Sequence, residues 1–274
     1  MMAYIDDQLY LFRNMIEDSI VEGGAKGKES IIRSSALINL IHDAVKKELI
    51  NAGVNPKHIF PKWGERKPEM KLAGFLKQKD QDVCVVPSNI APVSIPITWG
   101  PMAFEGKTDP YGFEFTTNML VINVRSQMSS LAKNSDTLFE RTFAEALNLR
   151  LRYPEIVLGE VYLIPVQEYK DSSAKYFSVE FKDRLTNLEK YISFFNAINN
   201  RKTGGEAYKY ERCALLIVDF DQPQPYLFSN SYELKQAGYL SQNFGIEYAD
   251  LNFQNFARDI LTEYSRRYNI NNLR

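Results

Sequence analysis

The sequence predicts an α/β fold, a mixed central sheet with helices on both faces. Three observations carry this. Short apolar runs read as strands at "QDVCVVP", "MLVINVRSQ", "VLGEVYLIPV" and "RCALLIVDF". Segments with helical spacing fall before, between and after them. From residue 30 to 166 the order is helix, strands, helix, strand, which builds layers around one sheet.

Leu9, Leu11, Phe12, Met15, Ile16 and Ile20 give residues 1 to 22 a helical spacing, and the glycines of "EGGAKGKES" break it. Ser30 is placed to cap a second helix that ends at Gly53. A loop rich in Pro and Lys leads to the strand closed by Pro87. Residues 88 to 117 hold Pro92, Pro96, Pro101 and Pro110 and read as irregular, with room for a short strand near "VSIPITW". The strand at 119 to 127 is followed by the helix "SDTLFERTFAEALNLRLRY", with Ser135 or Asp136 as its cap. Further helices are expected across "DRLTNLEKYISFFNAINN", near 231 to 238 and near 250 to 268. No repeat and no linker divides the chain, so 1–274 reads as a single domain, with 167–274 as supporting, recognition and dimerisation elements.

Composition bounds the function. Of 274 residues, 45% are hydrophobic and 24% charged, the balance of a globular protein with a core. The net charge of −1 gives no global field for a polyanion, so any nucleic-acid site must be a local patch. Cys84 and Cys213 sit in apolar strand-like runs and read as buried free thiols. His42 and His58 have no metal-type spacing to either, which argues against zinc. The first residues lack a basic stretch and a long apolar one, and no run of 18 apolar residues occurs. A cytoplasmic protein without a membrane span is the expectation.

The strand at 119 to 127 contains the candidate chemistry. Side chains alternate along a strand, so Leu120, Ile122 and Val124 face one way and Val121, Asn123, Arg125 and Gln127 the other. The first set reads as core; the second is a polar strip, either a solvated face or a site. On the following helix, Phe143, Ala144, Leu147 and Leu151 make an apolar stripe that includes Glu140, whereas Glu145 points away from it. Glu140 is either a first-turn acid favoured by the helix dipole or a carboxylate aimed at the strip. Asp82 opens the preceding strand as a turn residue or a ligand. Asp109 and Glu114, in "KTDPYGFEF", are further acids, and a hairpin could bring Glu114 opposite Asn123.

"NVRSQMSSLAKN" resembles the second half of the PD-(D/E)XK signature of type II restriction endonucleases, with Ser126, Gln127, Ala132, Lys133 and Asn134 following as in several members. "ERTFAEAL" is similar to a helix of some members, and "KLAGFLKQKDQDVCVVP" to the strand that brings the first acid, here Asp82. The resemblance covers roughly residues 30–166. It implies a restriction-endonuclease-like αβββαβ core and Mg²⁺-dependent, sequence-specific hydrolysis of double-stranded DNA by a homodimer. It departs from the signature at Asn123, where an acid is expected, and at Arg125, where lysine is expected. Some members move the second acid to the following helix, which would make Asp82 and Glu140 the Mg²⁺ ligands, with Asp109 or Glu114 as substitutes. Arg125 would stabilise developing charge, and Asn123 or Gln127 would orient water or phosphate. DNA contacts are expected from Lys77, Lys79, Ser129, Ser130, Lys133 and Asn134. Arg201, Lys202, Lys209 and Arg212, in the loop "NNRKTGGEAYKYER", would add to them. The competing expectations are a DNA-binding protein of the same fold without cleavage, and an unrelated protein whose strip binds an anion or another protein.

Overall fold

A computed structural model describes residues 3–274, so the first two residues of the expected N-terminal helix lie outside it. The principal helices are α1 (Tyr4–Arg33), α2 (Ser35–Asn51), α3 (Leu131–Arg150), α4 (Leu188–Ile198) and α5 (Phe256–Ser265). The central sheet is built from β1 (Ile59–Phe60), β2 (Val83–Val85), β3 (Leu120–Ser126), β4 (Val157–Pro165), β5 (Arg212–Asp219) and β6 (Tyr226–Leu227). These strands lie side by side in chain order. β2 runs antiparallel to β1 and β3; β3, β4 and β5 are mutually parallel; β6 returns antiparallel at the edge.

The expected order from helix through strands, helix and strand is present as α2, β1, β2, β3, α3 and β4. Helices cover both faces. On one face α1, α2 and α5 bury Phe12, Ile41, Ile260 and Tyr264 against Ile122, Val124, Val161 and Leu216. On the other, α3 and α4 bury Leu149, Ile192 and Phe195 against Val121, Leu158, Ile164 and Leu215. Covered on both sides, β4 and β5 are buried along their whole lengths, which is why they read as continuous apolar runs. Cys84 and Cys213 are free and buried, as the sequence suggests.

Several boundaries differ from the sequence reading. The glycine-rich stretch does not end α1. The helix bends at Gly24, whose φ of 60° suits glycine, and continues to Arg33. A Cβ there would stand 3.0 Å from the Ala174 carbonyl oxygen. Ser34, not Ser30, caps α2, accepting from the Ala36 N–H at 3.2 Å. α3 begins at Leu131, before either expected cap, and this early start changes which side faces the sheet. Two further antiparallel strand pairs lack a long apolar run: Met70–Ala73 with Gln78–Gln81, and Gln167–Tyr169 with Phe181–Leu185.

Gly159 lets α5 rest directly on β4. A Cβ at that position would meet Ile260 Cδ1 at 2.6 Å and the Phe256 ring at 2.9 Å. Gly159→Ala is therefore expected to cost about 1–3 kcal/mol, the usual range for overpacking a filled core. Urea unfolding checks this; an unchanged midpoint would mean that α5 is held less closely.

Candidate functional site

The alternation expected along β3 is present. Ile122 and Val124 enter one core, while Asn123 and Arg125 turn towards α3. In-register pairing places Asn123 beside Glu160 of β4 and Arg125 beside Tyr162. Asp82 precedes Val83, the partner of Ile122, so it comes next to Asn123 from the other side. Its Oδ2 accepts from the Val124 N–H at 2.8 Å, which ties the carboxylate to β3. Asp82, Asn123 and Glu160 thus form a row across three neighbouring strands.

Glu160 is fully buried, and no hydrogen bond of good geometry reaches either of its oxygens; Asn123 Oδ1 is likewise without a donor. Arg125 is the nearest cation, its Nε 3.3 Å from Glu160 Oε1. Burial pushes the Glu160 carboxyl up to about 6, and the Arg125 guanidinium, the Asn123 amide and Lys79 oppose that rise, while Asp82 adds to it. Folded Glu160 therefore holds its proton more tightly than the unfolded chain does. The contribution of Glu160 to stability is greatest below about 4.5 and is lost as pH rises through about 6. The loss is about 2 kcal/mol at 1.36 kcal/mol per unit. Urea unfolding of wild type and Glu160→Gln across pH 4.5–7 should show only the wild type losing this increment; parallel profiles would contradict it.

Above this row, α3 brings Glu145 down onto Arg125, where the two form an ion pair. Lys79 Nζ lies 2.8 Å from Glu145 Oε2, and Arg125 Nη1 donates to Thr142 Oγ1 at 3.3 Å. Burial, reinforced by the Arg125 charge, pushes the Lys79 ammonium down to about 8.

The inward face of α3 carries Leu131, Ser135, Thr142, Ala146 and Leu149. Glu145 belongs with it, and Glu140 lies exposed on the outer face. This corrects the stripe read through Phe143, which the structure stacks on Tyr208 at the surface with ring centroids 4.7 Å apart. Glu114 is not opposite Asn123 in a hairpin; it is exposed in the short helix Phe113–Thr117. Asp109 is buried, accepting from Tyr153 Oη at 2.6 Å and from the Tyr111 N–H at 3.1 Å. Gln127 ends the strip with its amide engaged. Its Oε1 accepts from Tyr162 Oη at 3.2 Å and Tyr191 Oη at 3.0 Å, and its Nε2 donates to the Ser130 carbonyl at 3.3 Å.

The expected basic residues divide. Lys77, Lys133 and Asn134 are exposed, while Ser129 is half-buried. Ser130 takes a left-handed φ of 55° and donates its N–H to Glu168 Oε2 at 2.8 Å. Arg201 is not a surface donor: it is 3% exposed and locked to Glu211 at 3.2 Å. Lys202 pairs with Glu263 at 2.7 Å, Lys209 with Glu206 at 3.6 Å, and Arg212, also buried, with Asp259 at 3.2 Å.

Among the described residues no group of three or more His, Cys, Asp or Glu is arranged to hold a metal ion. The set Asp82, Glu140 and Asp109 is thus not assembled. The row Asp82, Asn123 and Glu160 offers two carboxylates and an amide oxygen; Glu160 Oε2 and Asn123 Oδ1 accept no hydrogen bond, and Glu160 Oε1 has only the Arg125 guanidinium at 3.3 Å. Carboxylate and amide oxygens are the donor types that hard cations such as Mg²⁺ take, and here they share the site with the Arg125 guanidinium. The sequence reading missed Glu160 and Glu145. An acid in the middle of the apolar run "VLGEVYLIPV" was the available signal, because a buried carboxylate requires a partner.

No family model, no curated protein and no solved structure matches the chain. No helix among the described residues is long and apolar enough to cross a membrane.

Proposed function

We propose that the chain is a Mg²⁺-dependent endodeoxyribonuclease with a restriction-endonuclease-like core, acting on double-stranded DNA as a homodimer. The observation that carries this reading is the row of Asp82, Asn123 and Glu160 beside Arg125, two carboxylates and an amide oxygen brought together at the middle of the sheet. The topology supports it: α2, three antiparallel neighbours β1–β2–β3, then α3 and a parallel β4 give the αβββαβ order. In this reading Asn123 stands where the signature wants an acid, and the acid has moved one strand sideways to Glu160.

Asp82, Asn123 and Glu160 would hold Mg²⁺, which supplies a polarised phosphoryl oxygen and a more acidic attacking water. Arg125, permanently charged, stabilises the negative charge that develops on the phosphorus-bound oxygens. Lys79 Nζ, pushed down to about 8, is the cation of the site able to release a proton near neutrality, which Arg125 cannot do. Glu145 neutralises both cations at rest, so a phosphate entering the site must compete with it for Arg125.

Incubation with phage DNA and Mg²⁺, with an EDTA control, tests the reading. Discrete metal-dependent fragments are expected. An intact but retarded band would favour a binding protein without cleavage, to which the substitutions Asn123 and Arg125 also point. No interaction at all would leave neither.

A further inference from the structure

Beyond the end of β3, the polar strip reaches a cleft of about 380 Å³ between the start of α3 and the Phe181–Leu185 strand. Gln127 links the two, because Tyr191, which donates to it, also lines the cleft. The position is the one open α/β sheets use for ligands, outside the carboxyl ends of parallel strands.

The walls carry Lys133, Lys182, Arg184 and Lys190 against one carboxylate, Glu168. This is a local positive excess in a chain of net charge −1. Glu168 spans the Ser130 and Leu131 N–H groups at 2.8 and 3.1 Å, so the first amides of α3 are already used. Lys182 also pairs with Glu168 at 2.8 Å, and Lys190 with Asp136 at 2.5 Å. Lys133 and Arg184 are exposed, and among the described residues neither makes an ion pair with a carboxylate. They are cations without a carboxylate partner, lining a space that already stabilises one anion.

We propose that this cleft binds phosphate groups of a nucleic-acid backbone and so fixes the DNA across the end of the sheet beside the Asp82–Asn123–Glu160 row. The choice of DNA rests on the nuclease reading; the phosphate chemistry rests on the cleft itself. Contacts of this kind position a duplex without reading its sequence and make binding steeply dependent on salt.

The test is equilibrium binding of a fluorescently labelled duplex to the full chain in EDTA, titrated with salt. Lys133→Glu/Arg184→Glu is compared with Lys26→Glu/Arg33→Glu, an equal charge change at exposed positions of α1. The cleft variant should lose about two units of the slope of log affinity against log salt, roughly 0.9 per phosphate contact, and the α1 variant none. Equal slopes in the two variants would overturn the proposal. Tripolyphosphate, titrated calorimetrically, separates the sources of phosphate. Binding that is lost in the cleft variant, with no duplex bound by wild type, would keep a phosphate site and overturn its assignment to DNA. Duplex binding through the cleft without any Mg²⁺-dependent cleavage would support this inference and sink the nuclease reading alone.

Discussion

Glu211→Ala is expected to destabilise the protein by about 3–5 kcal/mol, the range for removing one partner from a buried ionic network. Glu211 is 1% exposed and sits where β4 and β5 begin. Its Oε2 accepts from the Leu158 N–H at 2.6 Å and pairs with Arg150, whereas Oε1 lies 3.2 Å from Arg201 and 2.8 Å from Arg267. The side chains of these three arginines are at most 4% exposed. Burial already pushes Arg150 down to about 10 against the pull of Glu211. Without it, the carboxylate remaining beside Arg201 and Arg267 would be the half-exposed Glu155, at 3.9 and 3.8 Å. Glu211→Gln should fall between wild type and alanine, since its amide oxygen can still accept from Leu158. Urea unfolding should show a lower midpoint at an unchanged slope. A loss under 1 kcal/mol would mean that the arginines find water instead.

Glu160→Gln is expected to lower Mg²⁺-dependent cleavage about a thousandfold at neutral pH, with the fold and DNA binding retained. The substitution keeps the shape of the side chain and removes the charge that would face the cation. Several kcal/mol of metal-assisted stabilisation correspond to that factor, at 1.36 kcal/mol per tenfold. The fold should be retained, because burial disfavours the charged carboxylate and Arg125 keeps Glu145 as its partner when Glu160 is neutral. Glu140→Gln provides the contrast. Exposed on the outer face of α3, it should cut as wild type does. Cleavage kinetics on one DNA substrate, with circular dichroism and band retardation in EDTA, separate catalytic loss from unfolding. Normal cutting by Glu160→Gln, or a matching loss in Glu140→Gln, would transfer the site to other residues.

The contrast between these two glutamates shows how far the sequence could be read. Strand alternation has a period of two and survives any error in the strand ends, so the sides taken by Ile122 and Asn123 were legible. Helix phase turns by about 100° per residue, and the inward face of α3 carries Ser135, Thr142 and Glu145 where apolar residues would have marked it. The more apolar line through Phe143 and Leu147 therefore reads as the buried one and carries Glu140 inward with it. Glu160 was hidden differently. A strand buried on both faces has no alternation, so one acid inside it looks like an interruption. Arg201 reads as a DNA-contacting surface base because its partner, Glu211, becomes its neighbour through folding of a loop that no periodicity describes. The Gln78–Gln81 strand is wholly polar and carries no apolar signature, yet it delivers Lys79 to the site.

Titration of Mn²⁺ into metal-free protein at neutral pH, followed by electron paramagnetic resonance, addresses the central row most directly. Asp82, Asn123 and Glu160 predict one saturable site per chain that is lost in Glu160→Gln and kept in Glu140→Gln. Absence of saturable binding in the wild type, or an unchanged site in Glu160→Gln, would contradict it.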